Sequence, residues 1–135
     1  MPFLSPHRAR RALLAAISFA ALAVPSPALA HPTLVSSSPA SGAILPLSPT
    51  ELRLVFSKSV QADLSSVTLS GPAIQAAVVL PAPAQPAGFG KVLVTRVLRA
   101  LPPGIYVVGW RAAGNDGHAV KGSFSFTIAG PRPAP

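Results

Sequence analysis

The chain is expected to fold as an all-β, antiparallel sandwich or small barrel of about seven short strands, and three observations predict it. Two segments alternate apolar and polar residues with a period of two. The stretches between them are rich in β-branched residues and bounded by Gly, Pro and Ser, and no long helical period follows residue 30. Short strands at this spacing, with prolines 39, 46, 49, 72, 102 and 103 at the turns, suit two packed layers or a closed sheet.

Residues 1–30 stand apart from that fold. Arg8, Arg10 and Arg11 precede an apolar stretch from Ala12 to Val24, and Ala28-Leu29-Ala30 has the small-residue pattern of a cleavage site. This order reads as a cleaved secretory signal. The apolar stretch falls short of the roughly 20 residues that span a bilayer as a helix. Arg10-Arg11 suits twin-arginine export and Ala12-Leu13-Leu14 suits the general secretory route equally. Cleavage leaves 105 of the 135 residues, enough for one domain and too few for two. The domain is taken as 31–129, followed by a proline-rich tail at 130–135.

In chain order, 33–36 is a candidate seventh strand. Residues 51–57 place Leu52, Leu54 and Phe56 on one face and Glu51, Arg53 and Ser57 on the other. Strands at 66–70, 74–80, 91–98 and 105–111 follow from their β-branched content. Residues 81–88 form a loop, because Pro81, Pro83 and Pro86 remove donors that a ladder needs. The last strand, 120–128, alternates Val120, Phe124, Phe126 and Ile128 with Lys121, Ser123, Ser125 and Thr127.

After residue 30 there are eight lysines and arginines against Glu51, Asp63 and Asp116, a net of +5. The cations are scattered, without a basic run or an aromatic platform, so nucleic-acid binding is not expected. The chain has no cysteine, which excludes disulfides, thiolate metal sites and thiol catalysis.

Two places carry chemistry. His31 becomes the first residue once the leader is cut, so its α-amine and imidazole could chelate one metal ion. In Gly114-Asn-Asp-Gly-His118, Asp116 and His118 stand two apart, and in an extended segment positions i and i+2 face the same side. Asn-Asp-Gly is also an ordinary turn signal, and a lone histidine on a strand more often packs than ligates. Scarcity raises the metal reading: the proposed set uses both histidines left after cleavage and one of only three acids.

Several runs carry a resemblance: His31-Pro-Thr-Leu, Ser38-Pro-Ala-Ser-Gly42, Leu52-Arg-Leu-Val-Phe-Ser57, Leu101-Pro-Pro-Gly-Ile-Tyr-Val-Val-Gly-Trp-Arg111, Asp116-Gly-His118 and Gly122-Ser-Phe-Ser-Phe126. In this spaced combination the chain resembles the CopC family of periplasmic copper-binding proteins over essentially everything after residue 30. The resemblance implies a Greek-key, immunoglobulin-like barrel or sandwich holding one Cu(II) per chain through an N-terminal histidine brace. Carried over residue by residue, the ligands are the α-amine and imidazole of His31, the carboxylate of Asp116 and the imidazole of His118. It further implies an exported, non-enzymatic, monomeric protein of copper resistance that sequesters or carries copper, with an inner-membrane copper transporter as partner.

Ligand chemistry agrees with that implication. Three nitrogens and a carboxylate oxygen form the tetragonal N/O set that Cu(II) or Ni(II) prefers, with Cu(II) at the top of the divalent affinity order, whereas zinc more often takes tetrahedral N/S sites. Pro32 has no amide N–H, so the terminus cannot chelate through that nitrogen and further donors must come from the fold. The α-amine, with a reference pKa of about 7.7–8.0, must lose its proton to bind. Arg111 and Asp63 are candidate supports.

Two departures limit the transfer. Some relatives carry a methionine-rich Cu(I) site, but the one methionine here is Met1, in the leader. Relatives often have an acid after the Phe-Ser pair, where this chain has Lys58. Two other readings stay open: a copper-dependent oxidative enzyme built on the same brace, and a structural sandwich whose histidines are incidental.

Overall fold

The computed structural model describes residues 31–72, 74–132 and 134. The leader at 1–30 and its cleavage site lie outside them. Eight strands run in order: β1 (Leu34–Ser38), β2 (Ile44–Leu45), β3 (Glu51–Phe56), β4 (Val60–Gly71), β5 (Ile74–Val79), β6 (Val92–Arg96), β7 (Gly104–Gly114) and β8 (Ala119–Ile128). They form a three-stranded sheet, β1-β3-β6, and a five-stranded sheet, β2-β8-β7-β4-β5. The all-β expectation holds, and every strand pairing is antiparallel except β2 with β8. β2 is the eighth strand, absent from the sequence reading because two residues carry no measurable period.

The core lies between the sheets and follows the alternation. Leu52, Leu54 and Phe56 of β3 and Leu93 of β6 face Val67 and Leu69 of β4, Tyr106 and Val108 of β7, and Phe124, Phe126 and Ile128 of β8. Gly122 interrupts the inward series of β8 for a steric reason. A Cβ there would stand 2.3 Å from Cζ2 of Trp110, whose ring lies across the glycine and meets Phe56 edge-on at 5.2 Å. Residues 81–88 are largely loop, with one ladder contact in which Ala84 and Val94 exchange both backbone hydrogen bonds, at 2.8 and 2.9 Å.

Tyr106 is fully buried, and its hydroxyl donates to the Pro102 carbonyl four residues upstream at 2.7 Å. This pins the entry of β7 in the manner of the tyrosine corners of immunoglobulin-like sandwiches. Desolvation by burial pushes the Tyr106 hydroxyl above its ordinary pKa. Tyr106→Phe is expected to cost about 1 kcal/mol, the net worth of one hydrogen bond. Urea unfolding should show this as a lower midpoint with an unchanged slope.

The inner strands fix the two ends of the sandwich. β7 and β8 pair without a slip from Gly104↔Ile128 to Ala113↔Ala119. Their connection, 115–118, therefore projects from one end, and the segment preceding β1 reaches that same end.

Candidate metal centre

Within the β7–β8 connection, three residues, 115–117, form a tight loop between Gly114 and His118. The Gly114 N–H donates to the His118 carbonyl at 2.9 Å, the Gly117 N–H donates to the Gly114 carbonyl at 3.0 Å, and Gly117 takes φ +81°. A hairpin loop of this kind needs a left-handed residue at its last position, which glycine adopts at no steric cost. The turn signal and the ligand pair therefore coincide. Asp116 and His118 converge, but through the turn and not through the strand alternation expected from their spacing. Asp116 Oδ1 accepts the His118 N–H at 3.0 Å, an Asx-type turn, and Oδ2 lies 3.0 Å from Nδ1 of the His118 ring.

His31 reaches the loop because the chain behind it is clamped. The Thr33 N–H and hydroxyl each donate to Ser57 Oγ at 3.0 Å, and the Ser57 N–H donates to the Thr33 carbonyl at 2.9 Å. Pro32 is buried against Gly114, where a Cβ would come 3.4 Å from Pro32 Cδ and 3.1 Å from Asp116 Oδ1. Glycine at 114 thus lets the N-terminal segment and the loop touch. Gln61 Nε2 donates to the Gly114 carbonyl at 2.9 Å and holds the loop from β4.

One ligand atom each from His31, Asp116 and His118 lies within 4.8 Å of the other two. The two imidazoles meet edge-on, 5.7 Å apart. These three side chains are the ones that would hold a metal ion at this end of the sandwich. The Asp116 carboxylate on Nδ1 fixes the orientation of the His118 ring. The hydrogen bond from the His118 ring, then that from its N–H, holds Asp116 below the usual carboxylate range, with the charges of His118 and His31 adding to the effect. Asp116 is therefore an anion at neutral pH.

Neither candidate support belongs to the cluster. Arg111 is exposed and donates from Nη1 to the Leu64 carbonyl at 3.0 Å, and Asp63 is exposed on a bulged stretch of β4. Sequence reasoning missed Gln61, Thr33 and Ser57. Their role depends on pairing between strands distant in sequence, β1 with β3 and β4 with β7, which no local pattern announces.

The profile of the CopC domain matches residues 34–129. The copper resistance protein C of Xanthomonas campestris pv. juglandis is 35% identical over 105 residues, covering 75% of this chain and 82% of that protein. Among solved structures, CopC from Methylosinus trichosporium OB3b superposes with a TM-score of 0.67 at 25% identity, covering 78% of this chain and all of that one. PcoC, a methionine-rich copper resistance protein from Escherichia coli, gives 0.58 at 30% identity, covering 73% and 98%. The matched profile spans all eight strands, and the solved structures share their sandwich: the chain belongs to the CopC family.

Proposed function

We propose that this chain is an exported, periplasmic Cu(II)-binding protein of copper resistance, which sequesters or carries one ion per chain and performs no turnover. The observation that carries the reading is the cluster of His31, Asp116 and His118 at one end of the sandwich. With the leader removed, His31 offers its α-amine and imidazole, His118 one ring nitrogen, and Asp116 a carboxylate oxygen that exchanges its hydrogen bond to the His118 ring for the ion. An N/O set without sulfur favours Cu(II), which also tops the divalent affinity order. The relatives' names, copper resistance protein C and a copper resistance protein, support copper as the cargo. PcoC is described as methionine rich; this chain has one methionine, in its leader, so the proposal is restricted to Cu(II).

The test is a Cu(II) titration of the chain beginning at His31, followed by Trp110 fluorescence and electron paramagnetic resonance. One tight equivalent with a tetragonal N/O signal is expected, lost in His118→Ala while the far-ultraviolet spectrum is retained. Absence of saturation at one equivalent overturns the reading.

Gly114 gives a finer prediction. In Gly114→Ala the new Cβ presses on Asp116 Oδ1 at 3.1 Å, so the carboxylate must shift by a few tenths of an ångström against His118. Cu(II) affinity should fall about tenfold, the lower end of what displaced supporting groups cost. Competition with a chelator of known affinity measures it.

A further inference from the structure

We propose that the groove lined by Pro32, Lys58, Ser59, Lys91, Asn115 and Asp116 is a carboxylate subsite beside the metal cluster, so that Cu(II) is bound together with a small organic acid. The inference rests on the copper reading and extends it to a second ligand that no side chain of the cluster accounts for.

The topology assembles the groove from three distant segments. Lys58 and Ser59 turn between β3 and β4, Lys91 leads into β6, and Asn115 and Asp116 belong to the β7–β8 loop. The first two walls are tied together: the Phe56 N–H donates to the Lys91 carbonyl at 2.8 Å and the Val60 N–H to the Gly90 carbonyl at 2.9 Å. The result is an open depression of about 500 Å³, within the size range of small-ligand sites.

Its charge is unbalanced. Neither Lys58 nor Lys91 pairs with a carboxylate among the described residues, and the groove's own acid, Asp116, pairs with His118. Both oxygens of Asp116, the single acid in the groove, are engaged by His118. A Cu(II) ion in the cluster would add two positive charges to a groove already carrying two ammoniums. An anion is the complementary occupant, and a carboxylate has the hard oxygen donor that an N/O copper site accepts. Lysine ammoniums act as point charges that tolerate varied anion geometry, and Ser59 and Asn115 add neutral donors.

Linkage makes the coupling reciprocal: copper tightens the acid by the same factor as the acid tightens copper. We expect about tenfold, inside the 5- to 150-fold usual for coupled sites. The coupling should shrink as added salt shortens the Debye length, about 8 Å at physiological ionic strength.

The experiment uses malonate on the chain beginning at His31, metal-free and Cu(II)-loaded, at constant ionic strength with chloride as control. In the metal-free form, malonate should shift the amide resonances of Lys58, Ser59, Lys91 and Asn115. In the loaded form it should bind about tenfold tighter and alter the copper paramagnetic resonance signal. Lys58→Met with Lys91→Met should weaken malonate by at least about tenfold without lowering Cu(II) affinity in its absence. Equal shifts with chloride, malonate binding unchanged in the double variant, or phosphate binding as tightly as malonate would each overturn the carboxylate assignment. A tetraglutamate peptide that binds far tighter than malonate would replace the small acid with an acidic protein segment. Tight Cu(II) binding indifferent to malonate removes the subsite alone; malonate shifts in a protein that takes no Cu(II) remove the copper reading, and the proposed joint binding with it.

Discussion

A chain carrying one extra residue in front of His31 is expected to bind Cu(II) at least about 100-fold more weakly than the chain that begins there. Loss of a group that merely supports a ligand costs about 10- to 100-fold, and removal of a direct ligand should exceed that. Extension converts the α-amine of His31 into an amide and opens the chelate ring. Nothing else in the fold need change, because the clamp between Thr33 and Ser57 and the burial of Pro32 hold the segment from behind. The added residue does bring its own amine, and the new amide nitrogen of His31 could bind copper in a different ring. A chain acetylated at His31 is therefore the companion variant, since it loses the amine and gains none. Equal affinity in all three forms would remove the processed terminus from the site and favour a sandwich that uses its histidines otherwise.

How far such a site can be read without coordinates depends on which contacts are local. The alternation at 51–57 and 120–128 is legible because large apolar residues recur every second position, and Leu52, Leu54, Phe56, Phe124, Phe126 and Ile128 are all buried. The first half of β4 was not, because Asp63-Leu64-Ser65 runs against the pattern. There the strand bulges, Leu64 is about half exposed, and Ser65 turns inward to accept the Ala113 N–H and donate to the Gln61 carbonyl. A polar residue facing inward at a bulge cannot be told from a loop by periodicity alone.

The same division runs through the site. His31, Asp116 and His118 were visible because histidines and acids are few, and their meeting is the consequence of a register that holds β7 on β8 up to Ala113↔Ala119. The reason Asp116 and His118 converge was misread, since a three-residue loop and not an extended strand brings them together. Lys58 and Lys91 share one groove only because β3 and β6 are neighbours, a long-range pairing that no spacing along the chain reveals.

Cu(II) affinity is expected to fall by more than about 100-fold between pH 7 and pH 5, and the steepness of the fall reports the ligands. The α-amine, whose reference pKa is about 7.7–8.0, alone contributes about tenfold per unit across that range. Both imidazoles bind as neutral rings, so any proton they carry is released as well and only steepens the fall. Asp116 adds no slope. Its hydrogen bonds from His118 hold it below the usual carboxylate range, so it stays ionised throughout the window. The sign for folding follows from the same shift. A carboxylate depressed in the folded state stabilises the fold above its unfolded pKa of about 3.9, and that contribution is lost only as pH falls through its lower folded value. Copper should therefore leave between pH 7 and 5 while the metal-free fold persists, which circular dichroism of the apo-protein checks directly. A flat profile would remove the α-amine from the metal and dismantle the proposed ligand set even if copper bound tightly at pH 7.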